Sequence, residues 1–477
     1  MTNKAVPAGD QSLAQRAIAR AGQARPVPGN AVRLLTDGPE VFPAMLRLIE
    51  EATAWIHFEN YIIRSDDTGW RFARALAGRA QSGVRVCLLY DWLGCVTTSR
   101  KLWTYLRKRG VTVRAFNRPK PVDVFANLTR DHRKLVVADG RGAVLGGVCI
   151  GDEWAGRAER GILPWRDTAI EIRGPAAAAL DQSFADMWRL TGAPLPQDQY
   201  ASDVAPAGEV AVQAVTGQPG RGRIYRILDL LAAGSTDRMW ITDAYLVAPR
   251  RLLYALRNAA RAGVDVRLLL PSASDMPVVR NLTRIGYRDL LTAGVRIYEW
   301  QGAMLHAKTQ VADGRWCRIG SSNLNAASLL GNYELDVMID DPAVADALEA
   351  QFRKDISRAS EIVIEEGRTG RPLGRGRGRG RRQGRGRLAI QQPLVSPDRH
   401  RISGRERRKR MVLALKTVAT GARRSTFLPI GIGLTVLAAL FLALPQLMGY
   451  LFGGMLVWLG IAAWLEAFRR RSTDSQL

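Results

Sequence analysis

Two stretches of the chain read alike and in the same order, and each leads into a copy of one short motif, the copies lying 174 residues apart at His132 and His306. The first runs ATAWIHFENYI, an Ala/Arg-rich segment of helical pattern, then SGVRVCLLYD; the second runs STDRMWITDAYLV, LLYALRNAARAG, then VDVRLLLPSASD. Each is an apolar strand, an amphipathic helix and a second apolar strand, the pattern of a βαβ unit. The parallel continues through LRKRGVTVRAF and LLTAGVRIYEW, with Tyr61 and Tyr245 at matching strand ends. A repeat of this kind predicts two similar α/β halves, 31–200 and 201–366, with mixed or mainly parallel sheets.

The remainder differs in composition. Residues 1–30 lack an apolar run and read as a polar, flexible lead rather than an export signal. Residues 367–424 are Arg/Gly-rich: 17 Arg and 2 Lys stand against Asp398 and Glu406, so this stretch holds +17 of the net +25. Such a segment buries no core and is expected to be a disordered, self-repelling linker that is drawn to anionic lipid headgroups. Because the linker holds the excess, the basic pI is not the footprint of a nucleic-acid-binding domain, and no nucleic-acid partner is expected. From Phe427 to Phe468 only Glu466 is charged, and Pro445-Gln446 interrupts the run. This predicts a two-helix transmembrane hairpin over 425–471, followed by a short tail, 472–477. Arg423 and Arg424 before it and Arg469, Arg470 and Arg471 after it place both ends in the cytosol by the positive-inside rule. Cys87, Cys95, Cys149 and Cys317 form no CxxC pair and do not group with the histidines, so no metal site is expected.

Each half ends in the same short pattern. The first is His132-Arg133-Lys134 with Asp139-Gly140 and Gly146-Gly147; the second is His306-Ala307-Lys308 with Asp313-Gly314 and Gly320-Ser321-Ser322-Asn323. On a strand, positions i and i+2 face the same way, so each imidazole shares a side with its ammonium group. The small residues at 146–147 and 320–322 are expected to leave room for a substrate. Asp139 and Asp313, at i+7, fall on the other face and precede Gly, which is a hairpin signal. The chemistry this set suits is phosphodiester exchange. One imidazole attacks phosphorus, the other protonates the leaving alcohol, and the lysines neutralise the phosphoryl oxygens without a cofactor. The imidazoles need partners to fix their tautomers, and Asp167 and Glu334 are the candidates.

These residues resemble the paired HKD motifs of the phospholipase D superfamily. Together with Gly151-Asp152-Glu153-Trp154, Trp165-Arg166-Asp167-Thr168 and Asn332-Tyr333-Glu334-Leu335, they are most similar to bacterial cardiolipin synthases. The resemblance covers roughly 32–362. It implies two phospholipase D-type α/β lobes packed as a pseudo-dimer around one metal-free site. It adds Asp139 and Asp313 to the catalytic set of His132, Lys134, His306 and Lys308. It makes His132 the nucleophile and His306 the acid/base, although the symmetry of the repeat leaves the two interchangeable on sequence alone. It also makes Glu59 a pocket-lining polar residue. One departure is Cys149, which stands where the second motif has Asn323 and the family usually has Asn; retuned or reduced activity is expected.

The expected function is transfer of a phosphatidyl group from one phospholipid to the headgroup hydroxyl of phosphatidylglycerol, at the cytoplasmic side of a bacterial inner membrane. Pro121–Leu128 and Met276–Tyr287 are expected to shield acyl chains. The alternatives are a hydrolytic phospholipase D with the same residues, a nuclease suggested by the Arg/Gly tract, and a scaffold with a decayed site suggested by Cys149.

Overall fold

The computed structural model describes residues 12–365, except 120–127, 158, 160, 202 and 276, together with 387–391. The strands of the first half are β1 (Val27–Thr36), β2 (Trp55–Asn60), β3 (Arg85–Asp91), β4 (Thr112–Phe116), β5 (Lys134–Ala138), β6 (Gly142–Gly146) and β7 (Thr168–Arg173). Those of the second are β8 (Val210–Gly217), β9 (Arg238–Thr242), β10 (Asp265–Pro271), β11 (Arg296–Trp300), β12 (Thr309–Ala312), β13 (Trp316–Gly320) and β14 (Glu334–Asp340), followed by β15 (Ala359–Glu365) and β16 (Arg387–Gln391). All join one mixed sheet of order β4-β3-β2-β5-β6-β7-β1-β8-β14-β13-β12-β9-β10-β11-β15-β16. Read outward from the β1–β8 pair, the two arms repeat the same strand sequence. Within each arm the βαβ crossovers give parallel pairs, β2 with β3 and β9 with β10, while the motif strands β5 and β12 run antiparallel to β2 and β9.

The arms are welded by a shared core. Leu145, Ile170 and Ile172 of the first half pack in one cluster with Ile319, Leu335 and Val337 of the second. The helices Pro175–Arg189 and Pro342–Ile356 supply Phe184, Trp188 and Phe352 to it. His57 is a core residue here: its ring lies between Asp181 (2.5 Å) and Gln199 (3.2 Å) and stacks on Phe184.

Two expectations for the flanks are corrected. Residues 13–22 of the lead form a helix, closed at its start by a reciprocal Ser12–Gln15 capping box and seated by Ile18 and Ala21 in the core of the second half. Residues 387–391 of the Arg/Gly linker, RLAIQ, pair antiparallel with β15 as the outermost strand. The rest of the linker and the hairpin at 425–471 lie outside the described residues. Among the described residues no helix is long and apolar enough to cross a membrane.

Asp139 and Asp313 hold the motif hairpins, as their Asp-Gly position suggests, and the place in the catalytic set that the family resemblance gave them is corrected. They sit at the ends of β5 and β12 remote from His132 and His306, in Asp-Gly turns with positive φ at both residues. Asp139 accepts hydrogen bonds from the backbone N–H groups of Thr53, Ala54 and Trp55 at 2.8 Å and from the Thr53 hydroxyl at 2.9 Å. Asp313 does the same for Thr236, Asp237 and Arg238. Each carboxylate therefore ties the start of the neighbouring strand to the motif hairpin. Burial pushes the Asp139 carboxyl up, but the N–H groups of Thr53, Trp55 and Ala54 outweigh it and hold it below the ordinary value.

Asp139→Ala is expected to cost about 1–3 kcal/mol of stability, the worth of hydrogen bonds to a charged group, with turnover per folded molecule retained. Because the folded-state carboxyl is the more acidic, its contribution is full above the unfolded value of about 3.9 and fades as pH falls below it. Thermal melts of both proteins at neutral pH and near pH 3 should show the gap closing in acid.

Candidate active site

The two HxK motifs start β5 and β12 at the edge where the strand ends of both halves meet. Backbone bonds splice them crosswise: His132 N–H donates to Tyr333 O (2.9 Å) and His306 N–H to Arg166 O (2.7 Å). These bonds lead into the carboxylates. His132 Nδ1 lies 3.0 Å from Glu334 Oε2 and 3.1 Å from Oε1; His306 Nδ1 lies 2.7 Å from Asp167 Oδ2. Each imidazole is thus oriented by a residue of the other half. With Nδ1–H given to a carboxylate, Nε2 of each ring carries the lone pair.

The lysines bind the arrangement together. Lys134 and Lys308 each donate to the backbone carbonyl of their own histidine. Both also act on both rings. Burial, then Lys134 and Lys308, push His132 well below its usual value. Burial and then Lys308 lower His306 to about 4 despite the upward pull of Asp167, with Lys134 adding to the fall. Lys308 itself is lowered to about 8, by burial first and then by Lys134, against the attraction of Asp167.

The carboxylates are held differently. Asp167 accepts from His306, from the Trp154 indole (3.0 Å) and from Thr168 N–H (2.8 Å). Burial pushes it up, but His306 and Lys308 bring it below the ordinary value. Glu334 accepts from the hydroxyls of Ser321 (2.5 Å) and Ser328. There burial prevails over Lys134 and the two hydroxyls and raises the carboxyl to about 7.

Two sequence expectations change here. Glu59 lies opposite Leu135 in the β2–β5 ladder, whereas Asn60 lies opposite Lys134. Side chains alternate, so Asn60 shares the lysine's face and Glu59 the reverse one. Glu59 does not line the pocket: it is fully buried against Arg133 at 3.1 Å, behind the motif. Gly147 makes room for a protein group rather than a substrate, since a Cβ there would stand 2.1 Å from Asp167 Oδ1. Likewise a Cβ at Gly320 would stand 1.9 Å from Asp336 Oδ1.

Asn323 and Cys149 are both buried. The Asn323 amide oxygen takes no protein partner. Burial raises the Cys149 thiol, with Lys134 and Lys308 acting against it. Deeper on the same face, Gln310 faces Arg318, which pairs with Asp336 at 2.8 Å. The corresponding residues of the first half, Val136 facing Val144 with Ala169 beyond, are apolar. The sequence reading passed over Trp154, Ser321 and Ser328 as carboxylate holders. Trp154 stood in the quoted GDEW segment, but a 3.0 Å indole bond to Asp167 has no signature of its own. Tyr61 and Tyr245 set their rings edge-on to His132 and His306 at 4.8 and 6.2 Å between centroids.

Comparison with known proteins fits this geometry. Residues 227–356 match the family described as "Cardiolipin synthase, PLD-like domain". The chain is 35% identical over 362 residues to cardiolipin synthase A of Pseudomonas entomophila (strain L48), spanning 75% of each protein. The chain belongs to the cardiolipin synthase family of phospholipase D-like proteins. It is also 35% identical over 340 residues to cardiolipin synthase of Geobacillus sp. (strain WCH70), covering 70% of this chain and 67% of that one. The crystal structure of phosphatidylserine synthase from Haemophilus influenzae Rd KW20 shares the mixed α/β fold, with a TM-score of 0.57 at 14% identity over 73% of this chain and 92% of that one.

For a cardiolipin synthase-family site of this form, two groups bound the working pH. Glu334 must be ionised to hold Nδ1–H, so activity falls as pH drops through about 7. Lys308 is expected to act in its protonated form, so activity should fall as pH rises through about 8. A bell-shaped kcat/KM between these apparent values is expected. Ser321→Ala should move the acid limb upward by removing a donor to Glu334, and Lys308→Arg should push the alkaline limb out of range; initial rates across pH 5–10 check both.

Proposed function

We propose that the protein is a cardiolipin synthase, a phosphatidyltransferase that moves a phosphatidyl group from one phospholipid to a headgroup hydroxyl of phosphatidylglycerol. The observation that carries this is the crosswise holding of two imidazoles, both under the influence of both lysines, in one site. Nε2 of His132 attacks phosphorus. The P–O bond to the leaving headgroup breaks, and the departing oxygen takes the Nε2 proton of His306, which enters this step as the imidazolium that Asp167 and the bound phosphodiester anion stabilise. The neutral His306 then removes the proton from the acceptor hydroxyl, whose oxygen attacks phosphorus and releases His132. Lys134 and Lys308 neutralise the non-bridging oxygens throughout.

The contrast between the carboxylates supports this division of roles. Asp167 is the better-ionised partner at the shorter distance, which favours a positive charge on His306, the proton donor of the first step. His132 is held neutral, as a nucleophile requires. No metal or cofactor is needed in this scheme. The two arms act as phospholipase D-type lobes, 31–200 and 201–366, of a pseudo-dimer. In our reading residues 425–471 anchor this part in the membrane as a helical hairpin, with the basic linker against anionic headgroups and the site on the cytoplasmic side.

With phosphatidylglycerol vesicles, the full chain should yield cardiolipin and glycerol by mass spectrometry, with little phosphatidic acid; phosphatidic acid as the main product would replace transfer by hydrolysis. His132→Ala and His306→Ala should each lower the rate by at least about 10³-fold. Under alkaline quench, which preserves phosphoramidates, a phosphatidyl adduct on His132 is expected; an adduct on His306 would reverse the roles. Deleting 425–477 should convert the protein from carbonate-resistant to carbonate-extractable in membrane fractions; unchanged resistance would remove the anchor assignment.

A further inference from the structure

Large apolar side chains are exposed at the end of the sheet that carries the histidines. Leu93 and Val96, 48% and 56% exposed, follow β3, whose last residue, Asp91, accepts from Asp131 N–H beside His132. Leu128, 70% exposed, lies two residues before Arg130, on the run into the first motif. Leu163, 67% exposed, is in the connection that Arg166 splices to the second motif. Leu282 and Ile285, 50% and 77% exposed, lie on the helix Pro277–Ile285 that follows β10. The loop leading into that helix is tied to the site by the Tyr245 hydroxyl, which donates to Asp275 at 2.6 Å. Apolar groups so distributed over separate loops at one end mark a contact surface rather than chance exposure.

Exposed cations stand among them at the same end: Arg100 and Lys101 open the helix that follows Leu93 and Val96, Arg118 lies just past β4, and Arg250 opens the helix that follows β9, with Asp275 and Glu159 as exposed acids beside them. In the Leu163 connection, Asp152 is paired with Arg157. Protruding apolar side chains set among cations fit the headgroup region of an anionic bilayer, where apolar groups enter the acyl boundary and cations meet phosphates.

We infer that this rim is a membrane-docking surface: the catalytic part seats its active-site end directly on an anionic phospholipid bilayer through Leu93, Val96, Leu128, Leu163, Leu282 and Ile285. The inference rests on the phospholipid-transfer reading above and deepens it. Lipid then reaches the site from the bilayer edge of the cleft instead of crossing water, and the attachment is separate from the C-terminal apolar run.

The test uses the full chain. All four native cysteines are buried, so a cysteine placed on the surface takes an environment-sensitive fluorophore selectively. Labels at Leu163→Cys and Ile285→Cys are compared with one at Arg141→Cys, in the Asp139 hairpin at the opposite end. The protein is reconstituted into phosphatidylglycerol vesicles containing lipid brominated on its acyl chains. Several-fold stronger quenching at 163 and 285 than at 141 is expected. Adding Arg100→Glu and Lys101→Glu, acids that the start of their helix accommodates, should weaken that quenching. Quenching at 163 and 285 no greater than at 141 overturns the proposal. So does burial of the labels that depends only on protein concentration without lipid, which would make the rim a contact between copies of the chain. Quenching requires no turnover, so loss of docking and loss of transferase activity are read separately.

Discussion

A histidine can give and take a proton at one ring nitrogen only if the other is fixed, and here the fixing groups are exchanged between the halves. Glu334 holds His132 and Asp167 holds His306, each across the junction. The backbone splices at Tyr333 and Arg166 set the distance, and the shared apolar cluster beneath keeps the junction closed. Every other feature of the site follows from this exchange. Both lysines act electrostatically on both rings because the rings are brought to one place. Gly147 lacks a side chain because the carboxylate of Asp167 fills that space.

The exchange is symmetric in geometry and unequal in chemistry. Asp167 gains a rigid indole donor and stays acidic, whereas Glu334 relies on two hydroxyls and is raised to about 7 by burial. A phosphoryl-transfer site needs this inequality, since one ring must be neutral when the other is charged. The support behind each motif differs as well. Glu59 and Arg133 form a buried ion pair behind the first, while Gln310, Arg318 and Asp336 fill the layer beside the second.

Much of this was legible in the sequence because it depends on short-range periodicity. The two-residue step put each lysine beside its histidine, the doubled βαβ pattern gave the arms, and Asp-Gly marked the hairpins. What escaped was long-range or one residue out of phase. Nothing local says that residue 132 meets residue 334 or that 306 meets 167. Glu59 was assigned to the pocket, but the β2 register turns Asn60 there instead. The helix Leu13–Gly22 was read as part of a flexible lead because its buried residues are few, Ile18, Ala21 and Gly22, although its Ser12–Gln15 cap was present in the sequence.

Carrying both copies on one chain has a consequence for how such a site changes over generations. In an association of two identical single-copy subunits, any substitution is written into both positions, and an alteration that helps one ring must be tolerated by the other. Tandem duplication removes that coupling. Cys149 opposite Asn323, and Val136 opposite Gln310, are differences that only a fused molecule can hold.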